Sequence, residues 1–185
     1  MISQSSSLRL QHTNIVSECD LKERNPMTEI ERILDQLKRA YEGNAWHGPS
    51  VREVLAGITA EQAAARPLAN VHSIWELVRH IGVWEEVGRR RLAGDRAAIE
   101  ISSPEDWPPA SDTSEAAWAD TKAALERGHQ ALEDAIRQLP DSRLDEPILE
   151  GMSSVYVTLH GVIQHDLYHA GQIGILKKAV QNRSR

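Results

Sequence analysis

The sequence predicts an all-α fold, a four-helix bundle with a long crossover connection. Three observations predict it. Apolar residues recur every three or four positions over four long stretches, the period of a helix with one buried face. Long runs that alternate apolar and polar residues are missing, so a sheet has little support. The strong helix formers Ala, Leu, Glu, Arg and Gln are abundant. At 185 residues and 41% hydrophobic content, the chain has the size of one domain and can bury a core.

The elements follow in order. Residues 1–26 are rich in Ser, Gln and Asn, with scattered apolar residues. They are expected to be an N-terminal extension, loosely held, with Met27 as the natural start and 27–181 as the bundle domain. Helix 28–42 opens on Thr28 with Glu31 at the capping-box position, and Ile30, Ile33, Leu34, Leu37 and Tyr41 form its stripe. Gly43-Asn44 ends it. Pro49 suits the first turn of a short helix bearing Val51, Val54 and Leu55. Thr59 and Gln62 mark another capped turn, closed by Pro67. Helix 73–93 has Ser73 as its cap, Glu76 three residues on, and Ile74, Leu77, Val78, Ile81, Trp84 and Val87 as its apolar face. Residues 94–112 hold three prolines and no period, hence a loop. Helix 114–138 is expected to be capped by Asp112, and its inner face is Ala117, Trp118, Thr121, Leu125, Leu132, Ile136 and Leu139. A second loop, 140–152, leads to helix 154–180 with Val155, Leu159, Val162, Ile163, Ile173 and Leu176 apolar. Four long amphipathic helices with two longer connections make a bundle.

Charge and cysteine content narrow the function. The formal net charge is −6 and the pI about 5.7, and a basic face is lacking, so no nucleic-acid partner is expected. The run Arg89-Arg90-Arg91 reads as a solvated helix end that suits the C-terminal dipole. The single cysteine, Cys19, forms no disulfide within the chain, which fits a reducing compartment. The N-terminus lacks a continuous apolar secretory core, and no run of eighteen apolar residues exists. A cytoplasmic protein with no membrane partner is expected.

Eight histidines are a high share for this length. His165 and His169 stand four apart in the last helix, which puts both imidazoles on one face, one turn apart. Such a pair can chelate one metal ion, although it also occurs in ordinary cores and on surfaces. His80, mid-helix among Leu77, Ile81 and Trp84, is the best third ligand; a lone histidine on an apolar face is otherwise a hydrogen-bonded core residue. Three neutral imidazoles suit a divalent ion, Zn²⁺, Ni²⁺ or Fe²⁺, and three protein ligands leave positions open, as in catalytic sites. His160 is rotated off the ligand face and reads as a wall residue. His47, in Trp46-His47-Gly48-Pro49, lines a pocket mouth or caps a helix. His72 and His129 are expected to face solvent, and His12 lies in the extension. Gly161, Gly171 and Gly174 each cost about 1 kcal/mol in a helix, so close packing or a ligand needs the room. Gln172 and Tyr168 could hydrogen-bond a metal-bound water or a substrate. Trp46, Trp84 and Tyr168 are candidate pocket walls.

The stretches Val71-His72-Ser73-Ile74-Trp75-Glu76-Leu77-Val78-Arg79-His80-Ile81 and Gln164-His165-Asp166-Leu167-Tyr168-His169-Ala170-Gly171-Gln172-Ile173 resemble the second-helix and last-helix signatures of the DinB-like superfamily. Trp46-His47-Gly48-Pro49-Ser50 resembles one branch of it. The resemblance spans about residues 27–180. It implies a four-helix bundle with a long crossover and a metal triad on His80, His165 and His169. Characterised relatives include thiol-dependent S-transferases and isomerases that use bacillithiol, mycothiol or glutathione, and dimers are common. The resemblance therefore implies a small-molecule thiol and an electrophilic substrate as partners, and a homodimer. Two other readings remain: a metal-dependent hydrolase, for which Glu76 is the candidate base, and a non-catalytic binding or stress-response protein stabilised by its metal.

Overall fold

The computed structural model describes residues 26–183, so the proposed extension and the question of the natural start fall almost wholly outside the described residues. Six helices are present there: α1 (Glu29–Glu42), α2 (Val51–Leu55), α3 (Ala60–Ala64), α4 (Ile74–Leu92), α5 (Glu115–Arg137) and α6 (Val155–Arg183). A 3-10 turn covers Asp141–Arg143. No strand occurs among the described residues beyond one isolated bridge, Pro147 to Ser154. The four long helices are the four expected, each within three residues at either end.

The helix starts follow local chemistry. Thr28, Ser50, Thr59 and Ser73 each accept the backbone N–H three residues on, and Glu31, Glu53, Gln62 and Glu76 reach back to the cap. Each such cap stabilises its helix by about 1 kcal/mol. The expected cap of α5 needs correcting. Ser114 takes that place, while the Asp112 carboxylate accepts the Ser114 N–H at 2.9 Å, shaping the turn before the helix. Distant groups add caps. Asp141 accepts the Glu29 and Ile30 amides at 3.0 and 3.1 Å, tying α1 to the end of α5. Lys177 of α6 donates to the carbonyls of Val54 and Ala56, at the end of α2.

α1 packs on α5 and α6, and α4 packs on the same two helices. The order around the bundle is thus α1, α5, α4, α6, with α1 and α4 on one diagonal. The short helices α2 and α3 belong to the crossover between these two. The core falls into two apolar clusters. One holds Trp75, Trp118, Leu77, Ile81, Leu125, Ile173 and Leu176. The other holds Ile33, Leu37, Leu132, Ile136, Leu159 and Ile163. Trp75 and Trp118 also spend their indole N–H groups, on Thr121 Oγ1 at 3.0 Å and the Ile58 carbonyl at 2.8 Å. Among the described residues, no helix is long and apolar enough to cross a membrane.

A polar layer separates the two clusters. On α4, α5 and α6 the change from one cluster to the other falls at Glu85, His129 and Asp166, all buried. His129 was expected to face solvent; it is 3% exposed. It extends the stripe of Trp118, Thr121, Leu125, Leu132 and Ile136, and its polar neighbours Gly128 and Gln130 hid that register. Its Nδ1 lies 2.7 Å from Glu85 Oε1 and its Nε2 3.3 Å from Glu133 Oε1. The Tyr41 ring stacks on it at 3.9 Å. Burial pushes the Glu85 carboxyl up to about 8 and the adjoining Asp166 carboxyl well above the usual range, because charge is costly in an apolar interior.

A group whose folded-state pKa is raised holds its proton when the unfolded chain has lost it. Stability is then fully present below the unfolded value and is lost as pH rises through the folded one. The buried histidines, whose pKa values burial lowers, oppose this trend below about pH 6.5, so the melting temperature is expected to fall from about pH 7 to about pH 9. Glu85→Gln keeps the shape without the charge and should flatten that fall. An equally steep loss in the variant would remove Glu85 as its cause.

Candidate metal centre

The three histidines singled out in the sequence come together. His80 sits mid-way along α4, and His165 and His169 stand one turn apart on α6, which packs against α4. His165 Nε2 lies 3.1 Å from His80 Nε2 and 3.1 Å from His169 Nε2. A tetrahedral centre with Zn–N bonds of about 2.1 Å has edges of about 3.4 Å, so the two edges that meet at His165 are already near the spacing a metal requires. Among the described residues they are the only group of three or more His, Cys, Asp or Glu whose ligand atoms all lie within 4.8 Å of one another.

The outer ring nitrogens decide which tautomers are present. His80 Nδ1 lies 2.8 Å from the Asp106 carbonyl and 3.0 Å from Asp106 Oδ1. His169 Nδ1 lies 2.6 Å from Gln172 Oε1. Each of these partners is an acceptor, so Nδ1 carries the hydrogen and Nε2 turns its lone pair inward. His165 Nδ1 is buried without a hydrogen-bond partner; Asp166 Oδ1 is 3.7 Å away. Burial lowers the pKa of all three rings, and for His165, with the neighbouring His169 and His80 adding to it, down to about 3. The rings are therefore neutral, as ligation requires. A divalent ion fits this donor set: three lone pairs converge, two with fixed tautomers.

Asp106 and Trp107, from the loop between α4 and α5, were missed in the sequence. Asp106 is buried and holds His80 in place. Burial alone would raise its carboxyl, but the Ser102 amide at 2.8 Å, the Trp84 indole at 2.8 Å and the facing His80 hold it below the usual carboxylate range. Ser102 takes φ +68° to aim that amide, a left-handed conformation that favours glycine. Trp107 lies flat on His80 at 3.7 Å and on His72 at 3.6 Å, which leaves His72 only half-exposed. No periodic signal marks such residues; a loop holding Asp-Trp beside three prolines was the only hint.

The remaining candidates are distributed differently. Trp84 and His165 line one cleft together. Gln172, expected to meet water or substrate, instead orients His169. Tyr168 is exposed, its ring edge-on to His169 at 5.0 Å. His160 lies against the Tyr156 ring, tilted by 50° with centroids 4.4 Å apart. Trp46 is wholly exposed and, with His47, lines a separate hollow beside α1 and α6; it does not join the histidine cluster. Glu76, the candidate base, is occupied by its cap at Ser73 and by Arg66. Of the three glycines of α6, Gly174 faces Val54 at contact distance, whereas a Cβ on Gly161 or Gly171 would meet open space.

Replacing Asp106 by Ala frees the His80 ring without touching a ligand atom. Metal affinity is expected to fall by about 10–100-fold with helix content unchanged, as read by competition with a chromophoric chelator and by circular dichroism. Unaltered affinity would mean that His80 is held by α4 alone.

A search among curated proteins finds no match, and a search among solved structures finds none either. A family model does match, that of the DinB superfamily, over residues 45–173. This interval takes in α2 to α5, the Asp106-Trp107 loop and all three histidines. The chain belongs to the DinB superfamily.

Proposed function

We propose that the chain holds one divalent cation on His80, His165 and His169 and transfers a small thiol to an electrophilic small molecule. The observation that supports this most strongly is the convergence of three Nε2 lone pairs, with those of His80 and His169 each 3.1 Å from His165 Nε2, in a pocket where His165 keeps 24% of its side chain exposed. Three protein ligands leave a position for a reactant, and that partial exposure gives access to it. A cation held there supplies the positive charge that lowers the pKa of a coordinated thiol.

The chain's own residues do the rest. Asp106 and Gln172 fix the tautomers of His80 and His169. Trp107 covers the outer face of His80 and shields it from water. The thiol sulfur forms its bond to the electrophilic carbon, the leaving group departs with the bonding pair, and the thiol proton passes to solvent. Zn²⁺, Ni²⁺ and Fe²⁺ all suit three imidazoles. Transfer is favoured over hydrolysis because Glu76 and Asp106 spend their carboxylates on caps, on the loop and on His80, so neither is left to activate water.

The test uses untagged protein purified without chelator. About one metal ion per chain is expected. With glutathione, bacillithiol or mycothiol and 1-chloro-2,4-dinitrobenzene, which releases chloride, the metal-loaded protein should form the thioether. His165→Ala should lose the metal and at least ~100-fold in rate, since even groups that only orient a ligand cost about 10–100-fold. Stoichiometric metal with no transfer to any acceptor would leave the metal centre and remove the transferase. A His165→Ala variant of full activity would remove both.

A further inference from the structure

The cleft shared by Trp84 and His165 runs between α4 and the first half of α6 and encloses about 280 Å³. That is close to the lower end of small-molecule clefts, about 300–1,000 Å³. Two contacts set its direction. The Trp84 and His165 rings lie 6.1 Å apart, and a Cβ on Gly88 would lie 3.3 Å from Val162. As α4 advances, α6 runs back, so the helices are antiparallel here. Arg91 is therefore at the far end of the cleft, seven residues or about 10 Å along α4 from Trp84. Val87 walls the middle, and Val157 stands at the Arg91 end.

Arg91 differs from its neighbours. Arg89 and Arg90 pair with Glu86 and Asp95. Arg91 donates Nε and Nη2 to the Ala97 carbonyl at 3.2 and 3.1 Å and forms no ion pair among the described residues. No carboxylate lines the cleft. Arg91 is thus the one cationic side chain on an otherwise apolar and neutral cleft, half-buried, with Nη1 free to meet an anion there. Gly161 also lines the cleft, one turn before His165. A Cβ there would meet no atom within 4 Å, so helix packing does not require this glycine, although glycine is the poorest helix former after proline. Its missing side chain keeps the cleft open.

We propose that this cleft binds a small apolar carboxylic acid, its carboxylate on Arg91 and its apolar body along Val87 and Val157, with its other end beside His165. The role of this acid as a reactant rests on the function proposed above, but its binding is read without turnover. Acid binding to protein that holds no metal would sink that function and leave this site standing.

The test is calorimetric titration of the Zn²⁺-loaded full chain with 4-phenylbutanoate and with the uncharged 4-phenylbutanamide. The acid is expected to bind at least about tenfold tighter. Arg91→Gln should abolish that preference and leave amide binding unchanged. Gly161→Leu should weaken both ligands at least about tenfold by filling the cleft, with metal content and circular dichroism as in the parent. Equal affinity for acid and amide, no binding of the acid, or undiminished binding in a folded Gly161→Leu overturns the proposal. Arg91→Gln decides the matter if Gly161→Leu fails to fold. Repeating the titration in 2-mercaptoethanol separates the two sources of the acid. Joint binding assigns it to the electrophile, and mutual exclusion assigns it to the carbon skeleton of the thiol.

Discussion

Three imidazole rings from two helices face one another, with His165 Nε2 3.1 Å from the Nε2 atoms of both His80 and His169, and each ring is neutral because burial disfavours its charge. Neutral rings with converging lone pairs repel one another unless something positive sits between them. The fold must therefore hold them by other means: Asp106 on His80, Gln172 on His169, and Trp107 against the outer face of His80. Without these supports the rings would turn their lone pairs to water. The centre is an arrangement of α4, α6 and one loop, and it cannot be assigned to any single helix.

The bundle that carries this centre is not uniformly apolar. Its core is divided by Glu85, His129, Glu133 and Asp166. Asp166 directly follows His165, and its fully buried carboxyl faces that of Glu85, with which it shares a hydrogen bond when protonated. Such a layer costs stability when it is ionised, and the raised pKa values of Glu85 and Asp166 mean that protons offset the cost. It also fixes the register of α4, α5 and α6, because sliding any of them by one turn would place a carboxylate against Leu or Trp. The layer thus bears on the height at which His80 meets His165.

Much of this was legible in the sequence. The 3.6-residue period and the cap spacings set the four long helices to within three residues, because both signals are local. The triad was legible for the same reason: His165 and His169 share a face by helix geometry alone, and His80 stands on the inward stripe of its own helix. The motifs that resemble the DinB-like signatures then joined the two helices. What was not legible depends on tertiary contact. Asp106 and Trp107 come from a loop without periodicity, so nothing local shows that they fold back onto His80. His129 was placed on the wrong side of α5 because its immediate neighbours are polar. The decisive fact, that Glu85 and Asp166 face it, belongs to other helices. Gln172 was seen as a candidate, but its role depends on the tautomer of His169, which a sequence does not record.

The central claim is that three Nε2 atoms, and no other protein donors among the described residues, hold the ion. X-ray absorption at the metal edge of the loaded protein tests it most directly. The account predicts three imidazole nitrogens at about 2.0–2.1 Å, with the outer-ring scattering typical of histidine, and the remaining positions filled by light atoms that change when a thiol is added. A spectrum with fewer than three imidazoles, or with protein sulfur in the absence of added thiol, would contradict it.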